Sequence, residues 1–357
     1  MTRLDLPARP RILVVALRRI GDVLLTTPLI RSIRRAWPDA TIDALVFAGS
    51  AGILEGNPDL ARVIAMPERP TAHESAAVAL ALWRRYDLAV SSQAGDRPVY
   101  FTRLAGRTAV APVEENLNGR VKAAMLTRSI PVKYGLHRVN EILRLTEALG
   151  ITPVPQLTAP QQQHAVSAVG GRYAVIHAAP MFRYKQWTIE GWRKLAAALV
   201  GRGFRVVATG GPAAVERDYL DALWGAPASP VQRLDGRLSW PALTALLRGA
   251  AVFVGPDTSV THLAAAAGCP TVALFGPTDP RLWGPWPASG LERPWEAAGP
   301  VQQRGNVWLV QNVLPCLPCQ LEGCERRLDS DSRCLEEMSP TQVIAAVDHA
   351  LASRDSA

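Results

Sequence analysis

At 357 residues the chain is about twice the length of a typical domain, so two domains are expected. Hydrophobic residues make up 48% and charged residues 20%, a globular balance that excludes a disordered chain. The formal net charge is +8, from 39 Lys and Arg against 31 Asp and Glu, yet no run of five basic residues occurs, so a nucleic-acid-binding tail is not expected.

No stretch approaches the roughly 18 apolar residues of a membrane span. Residues 11–19 hold too few apolar side chains for a signal-peptide core, so a cytoplasmic location is expected. Of the cationic residues only four are lysines (Lys122, Lys133, Lys185 and Lys194), and the rest are arginines. That bias fits either a GC-rich genome or an anionic partner such as a phosphosugar or a membrane face. The five cysteines are Cys269, Cys316, Cys319, Cys324 and Cys334; four of them fall within nineteen residues, and the chain does not resemble a disulfide-stapled scaffold.

Strand-like and helix-like segments alternate, which predicts α/β architecture with parallel sheets. Residues 11–17 (RILVVAL) form a near-continuous apolar run suited to a strand covered on both faces. A loop is predicted over 18–22 and a helix over 23–37, with Val23, Ile30, Ile33 and Trp37 on one face. Thr41–Phe47 reads as the next strand. The Pro-, Gln- and Gly-rich segment 153–171 is expected to link the domains. The pattern restarts with strands over Tyr173–His177 and Arg205–Thr209, and helices over 188–201 and 213–224. A helix over 239–248 carries Ser239 at its N-cap and Pro241 in its first turn. Strands over 251–255 and Thr271–Phe275 flank a helix over 259–267 that Gly268 closes. The last helix, 339–353, is capped by Ser339, with Pro340 at its first position. Two Rossmann-like halves facing each other across a linker are expected: 1–160 and 161–338, followed by 339–357.

Neither G-x-x-x-x-G-K-S/T nor a G-x-G-x-x-G after the first strand is present, which removes most of the support for an ATPase or a dinucleotide-dependent dehydrogenase. The first strand instead runs into RRIGDV, where Gly21 makes the turn and Asp22 sits at the carboxyl edge of the sheet, the edge where open α/β folds bind ligands. Asp22 is there either as an N-cap or as a carboxylate that serves as general base. The run GPDTSVTHLA again joins a strand end to a helix. Asp257, Thr258 and Ser259 can cap it, and its free amides suit a pyrophosphate, with His262 close by. The loop after His177 carries Lys185, either a solvated lysine or a point charge for a leaving diphosphate. Thr278, Asp279 and Arg281 lie on a Gly/Pro-punctuated loop. The set Cys316-x2-Cys319-x4-Cys324-x9-Cys334 is either a zinc ligand set or four thiols without metal; its second pair lacks the tight spacing of zinc ribbons.

Together, RRIGDVLLTTPLIRSIRRAWPDATID, HAAPMFRYKQWTIEGW, ATGGPAAVERD, GPDTSVTHLAAAAGCPTVALFGPTDPRLWGP and the cysteine-bearing tail resemble glycosyltransferase family 9, the bacterial heptosyltransferases. These blocks run in order from residue 11 to about 347, across nearly the whole chain. The resemblance implies a GT-B fold, with the acceptor on the N-terminal half, the nucleotide-sugar on the C-terminal half, and the last helix crossing back to the N-terminal domain. It implies inverting transfer of heptose from ADP-heptose to an anionic glycolipid, the inner core of a lipopolysaccharide, without metal or cofactor. Asp22 would be the base beside Gly21, and Lys185 would neutralise charge on the donor phosphates. Asp257, Thr258, Ser259 and His262 would hold diphosphate and sugar, with Thr278 on the neighbouring loop. Glu216 lies close to the position where family members set an acidic residue against the nucleoside.

Two departures stand out. The loop after His177 reads Ala178-Ala179-Pro180 where relatives often place small hydroxyl residues. No residue of the N-terminal half identifies the acceptor, because Arg97, Arg103, Arg107 and Arg120 are either contacts to an anionic lipid core or solvated surface. The alternatives to heptosyl transfer are another nucleotide-sugar donor for a different surface glycan, or a non-catalytic scaffold. The basic balance also allows peripheral contact with the inner face of the cytoplasmic membrane.

Overall fold

The computed structural model describes residues 1–161, 169–226 and 229–355, so the middle of the expected linker, 162–168, lies outside the described residues. The chain divides into two compact units, Met1–Pro160 and Gln161–Ala357.

The first unit is built on β1 (Arg11–Ala16), β2 (Thr41–Phe47), β3 (Arg62–Met66), β4 (Tyr86–Ser91), β5 (Gly106–Val113) and β6 (Arg128–Pro131), a parallel sheet in the order β3-β2-β1-β4-β5-β6. The unbroken apolar run of β1 has its cause in the packing on both faces. Ile12 and Val14 cluster with Leu29, Ile30, Ile33 and Trp37, while Leu13 and Val15 cluster with Leu82, Phe101 and Ala105. Reversal of the strand order beside β1 places the loop after β1 at a topological switch point, where α/β sheets bind ligands.

The predicted single helix over 23–37 is two helices, Ile20–Leu24 and Thr27–Ala36. Pro28 sits in the first turn of the second, where its missing N–H and its ring oppose continuation from the preceding turn. The hydroxyls of Thr26 and Thr27 donate to the Asp22 and Leu24 carbonyls at 2.9 and 2.7 Å, satisfying the broken ladder. Asp22 therefore lies within a helix rather than in a loop.

The expected linker is tethered over its first half. The Val154 amide donates to Ser32 Oγ at 2.8 Å and the Thr158 amide to Thr27 Oγ1 at 3.0 Å, with Val154, Leu157 and Ala159 buried. Sequence composition reported the lack of a period there but not these hydrogen bonds. Gly150 ends the preceding helix in the left-handed region at φ +67°, and a Cβ on it would lie 2.4 Å from the Arg3 amide nitrogen. Gly150→Ala is expected to cost about 1–3 kcal/mol, measured by chemical denaturation.

The second unit carries β7 (Tyr173–His177), β8 (Arg205–Thr209), β9 (Val231–Arg233), β10 (Val252–Pro256), β11 (Thr271–Phe275), β12 (Val301–Arg304) and β13 (Val307–Gln311). Their order is β12-β13-β11-β10-β7-β8-β9, parallel except for the β12–β13 edge pair. Trp187 and Trp192, edge to face at 5.1 Å, anchor its main core.

The final helix, Pro340–Asp355, packs on β10, β11, β13 and the helix Ile189–Gly201. Val343, Ala346, Val347 and Ala350 recur at helical spacing and are buried in the main core, and Asp348 pairs with Arg202 at 2.8 Å. No helix among the described residues is long and apolar enough to cross a membrane.

Candidate active site

The first unit concentrates polar chemistry where β1 ends. Gly21 and Asp22 lie in the helix Ile20–Leu24, both half-buried. The N-cap of that helix is Arg19, and no side chain caps it, so Asp22 does not spend its carboxylate as a cap. Its Oδ1 instead faces Arg138 Nε at 3.3 Å and the half-exposed Arg18 Nε at 3.7 Å. Arg138 comes from the distant helix Arg138–Leu143 and is itself buried; its other nitrogens reach Glu141 at 2.8 Å and the Ser92 carbonyl at 3.2 Å. Sequence reasoning missed Arg138, because nothing in the spacing of HRVNEIL connects it to a residue 116 positions earlier. A carboxylate at a sheet edge, held by arginine, can accept a proton from a hydroxyl.

The second unit assembles the other predicted residues around one carboxylate. β10 ends in Pro256 and delivers Asp257, which is buried; Thr258 caps the helix Ser259–Ala266 by accepting from the Thr261 amide at 3.3 Å. With that cap supplied by Thr258, Asp257 Oδ2 takes the Lys185 ammonium at 2.6 Å and the Thr278 hydroxyl at 2.8 Å. His262 Nε2 lies 3.9 Å from Asp257 Oδ1, and Ser259 is half-buried in the first turn. Burial would raise the Asp257 carboxyl, but the Lys185 and His262 charges and the hydrogen bonds from Lys185 and Thr278 hold it below the ordinary carboxylate range.

This changes the part Asp257 can play. A carboxylate repels a diphosphate, so Asp257 suits the holding of Lys185 and Thr278 rather than direct contact with phosphate oxygens. The Lys185 segment is fixed independently: the Ser332 hydroxyl donates to the Tyr184 carbonyl at 2.7 Å, and the Tyr219 hydroxyl donates to the Trp187 carbonyl at 3.1 Å. A lysine, a hydroxyl and the open amides of a helix N-terminus can together bind a polyphosphate anion.

Glu216 stands apart from this cluster, where β8 ends. From the first turn of the helix Ala214–Trp224 it accepts the Gly211 amide at 2.6 Å, bracing the loop that leaves β8. His177 at the end of β7 is buried, contacts Thr209 at 3.1 Å, and is pushed down to about 4 by burial, which makes it a neutral core residue. Burial also pushes the Cys334 thiol up to about 12, with Cys319, Cys324 and Cys316 adding to that. Among the described residues no group of three or more His, Cys, Asp or Glu is arranged to hold a metal ion.

The signature of glycosyltransferase family 9 (heptosyltransferase) matches residues 81–292. The chain is 29% identical over 288 residues to lipopolysaccharide heptosyltransferase 3 of Escherichia coli strain K12, covering 76% of this chain and 83% of that protein. It is 28% identical over 347 residues to lipopolysaccharide heptosyltransferase 1 of Pseudomonas aeruginosa, covering 93% and 92%. The solved structure of E. coli heptosyltransferase WaaC with ADP superposes with a TM-score of 0.72 at 23% identity, over 95% of this chain and 99% of that one. Likeness of this extent establishes the shared GT-B class of α/β fold.

Proposed function

Because the chain belongs to glycosyltransferase family 9, we propose that this glycosyltransferase moves heptose from ADP-heptose onto an anionic inner-core lipopolysaccharide acceptor, with inversion and without a metal. The observation that carries the reading is the buried Asp257 with Lys185 and Thr278 bonded to it beside a helix N-terminus, which brings an ammonium, a hydroxyl and helix amides together where a departing diphosphate could be held.

In this reading Asp22, beside Gly21, takes the proton of the acceptor hydroxyl as the oxygen bonds to the anomeric carbon. The bond from that carbon to the diphosphate breaks, and ADP leaves with the electron pair. Lys185, Thr278 and the amides and hydroxyls of the Thr258–Ser259 turn neutralise the charge that develops. Asp257 orients Lys185, His262 lines the same pocket of charge, and Glu216 faces the nucleoside. Lys185 supplies the cation that a divalent metal supplies in other diphosphate chemistry, which supports metal independence. A cytoplasmic enzyme touching the inner membrane face through its basic surface fits a lipid-borne acceptor and the net charge of +8.

Thermal unfolding in EDTA with ADP, UDP, GDP and CMP tests the donor. At about 100 times its Kd a ligand adds roughly 2.7 kcal/mol, and ADP alone is expected to produce that shift. A shift with UDP, GDP or CMP instead would overturn the donor, dependence on added metal would overturn metal independence, and no shift at all would favour a scaffold.

A further inference from the structure

We propose that Arg138 is a positioning residue whose guanidinium fixes the orientation of the Asp22 carboxylate; this rests on the reading of Asp22 as the base. Three observations carry it. Arg138 is only 4% exposed, and an arginine taken out of water requires charge and hydrogen-bond partners on every side. Its Nη1 is held by Glu141 at 2.8 Å and its Nη2 by the Ser92 carbonyl at 3.2 Å, so the plane of the guanidinium is set by the helix Arg138–Leu143 and the end of β4.

The third nitrogen, Nε, lies 3.3 Å from Asp22 Oδ1 as an ion pair, and both atoms are buried with no hydrogen-bond partner among the described residues, so charge rather than a hydrogen bond ties the carboxylate to this guanidinium. Glu141 alone would balance the arginine charge. A second carboxylate on the same guanidinium is what a device for holding Asp22 requires. Arg18 does not serve equally, because at 3.7 Å and 46% side-chain exposure its position is not set by packing. With Oδ1 buried against Arg138, Oδ2 is the oxygen left to receive a proton. A lysine cannot reproduce this geometry, since a single ammonium does not span Glu141, Ser92 and Asp22 at once.

A double-mutant cycle tests the proposal, with initial rates measured on ADP-heptose and inner-core lipopolysaccharide and folding followed by circular dichroism. Arg138→Gln is expected to lower kcat about 10²-fold, the scale of a misplaced catalytic group, with KM for ADP-heptose within about twofold. Arg138→Lys is expected to fall between that variant and wild type. In the Asp22→Asn background, Arg138→Gln is expected to change the residual rate by less than about threefold, because the two residues act as one unit. If Gln at 138 leaves Glu141 uncompensated and the protein unfolds, Arg138→Gln with Glu141→Gln removes both charges and carries the same expected loss of kcat. A folded Arg138→Gln enzyme with near wild-type kcat, or an equal loss on top of Asp22→Asn, overturns the positioning role while leaving Asp22 as base. An active Asp22→Asn enzyme overturns the base reading itself, and the positioning role with it.

Discussion

Asp22→Asn lowers the rate of glycosyl transfer by about 10²–10⁴-fold while the melting temperature and the shift on adding ADP stay as in wild type; this is the first expected result. The size follows from what an amide lacks. Asparagine is nearly isosteric with aspartate, so the turn after β1 keeps its packing, but it cannot take the acceptor proton. The structure makes the variant informative because Asp22 caps nothing: the helix Ile20–Leu24 has no side-chain cap for the substitution to remove. Nucleotide binding is expected to survive, because the residues proposed to hold ADP, Lys185, Glu216, Thr258, Ser259 and Thr278, all belong to the second unit. Quenched-flow or coupled measurement of ADP release against acceptor concentration checks the rate. A variant that transfers at more than about a tenth of the wild-type rate assigns the proton to another group.

The second large effect is at Lys185. Lys185→Ala is expected to lower transfer about 10²–10³-fold, the scale for removing one stabilising group from a developing anion. It also has a stability cost that Asp22→Asn does not. Asp257 is buried, and removing one partner of a buried pair costs about 3–5 kcal/mol. The Lys185 side chain is 21% exposed, so water offsets part of this and the lower end is expected.

The pH dependence follows from the lowered Asp257 carboxyl. A carboxylate whose folded value lies below its unfolded one contributes stability that is full above the unfolded value, about 3.9, and fades as pH falls through the folded value. At neutral pH the wild-type pair therefore contributes in full, and the melting-temperature gap between wild type and Lys185→Ala is expected to narrow on acidification. Adding Asp257→Asn to Lys185→Ala removes the stranded charge. The double variant is expected to regain melting temperature at pH 7 but no transfer activity, which separates the catalytic charge from the structural one. Recovery of transfer in the double variant would remove Lys185 from the chemistry.

Much of the fold and part of the site could be read along the chain, because their causes are local. The apolar run RILVVAL demanded a strand covered on both faces, and β1 is one. Ser239 with Pro241 marked the start of a helix, and Ser239 does accept the Ala242 amide at 3.3 Å. Strand-to-helix junctions placed Asp22 and Asp257 at sheet edges, since a parallel strand must end in a loop on one side.

What the tertiary structure alone decided is the set of partners, because contacts across a fold leave no period in a sequence. Thr258, not Asp257, became the cap of the helix Ser259–Ala266, and only then was Asp257 available to Lys185 from a loop 72 residues earlier. The final helix buries Val343, Ala346, Val347 and Ala350 in the core around β10, β11 and β13, partners that its amphipathic pattern does not name. Pro28 split a helix whose apolar spacing runs through the break. Arg138 is the strongest case. Its side chain is ordinary in sequence, and its place beside Asp22 follows from burial: a guanidinium carried into the sheet edge by the helix Arg138–Leu143 must satisfy its charge there, and Asp22 and Glu141 are the carboxylates within reach.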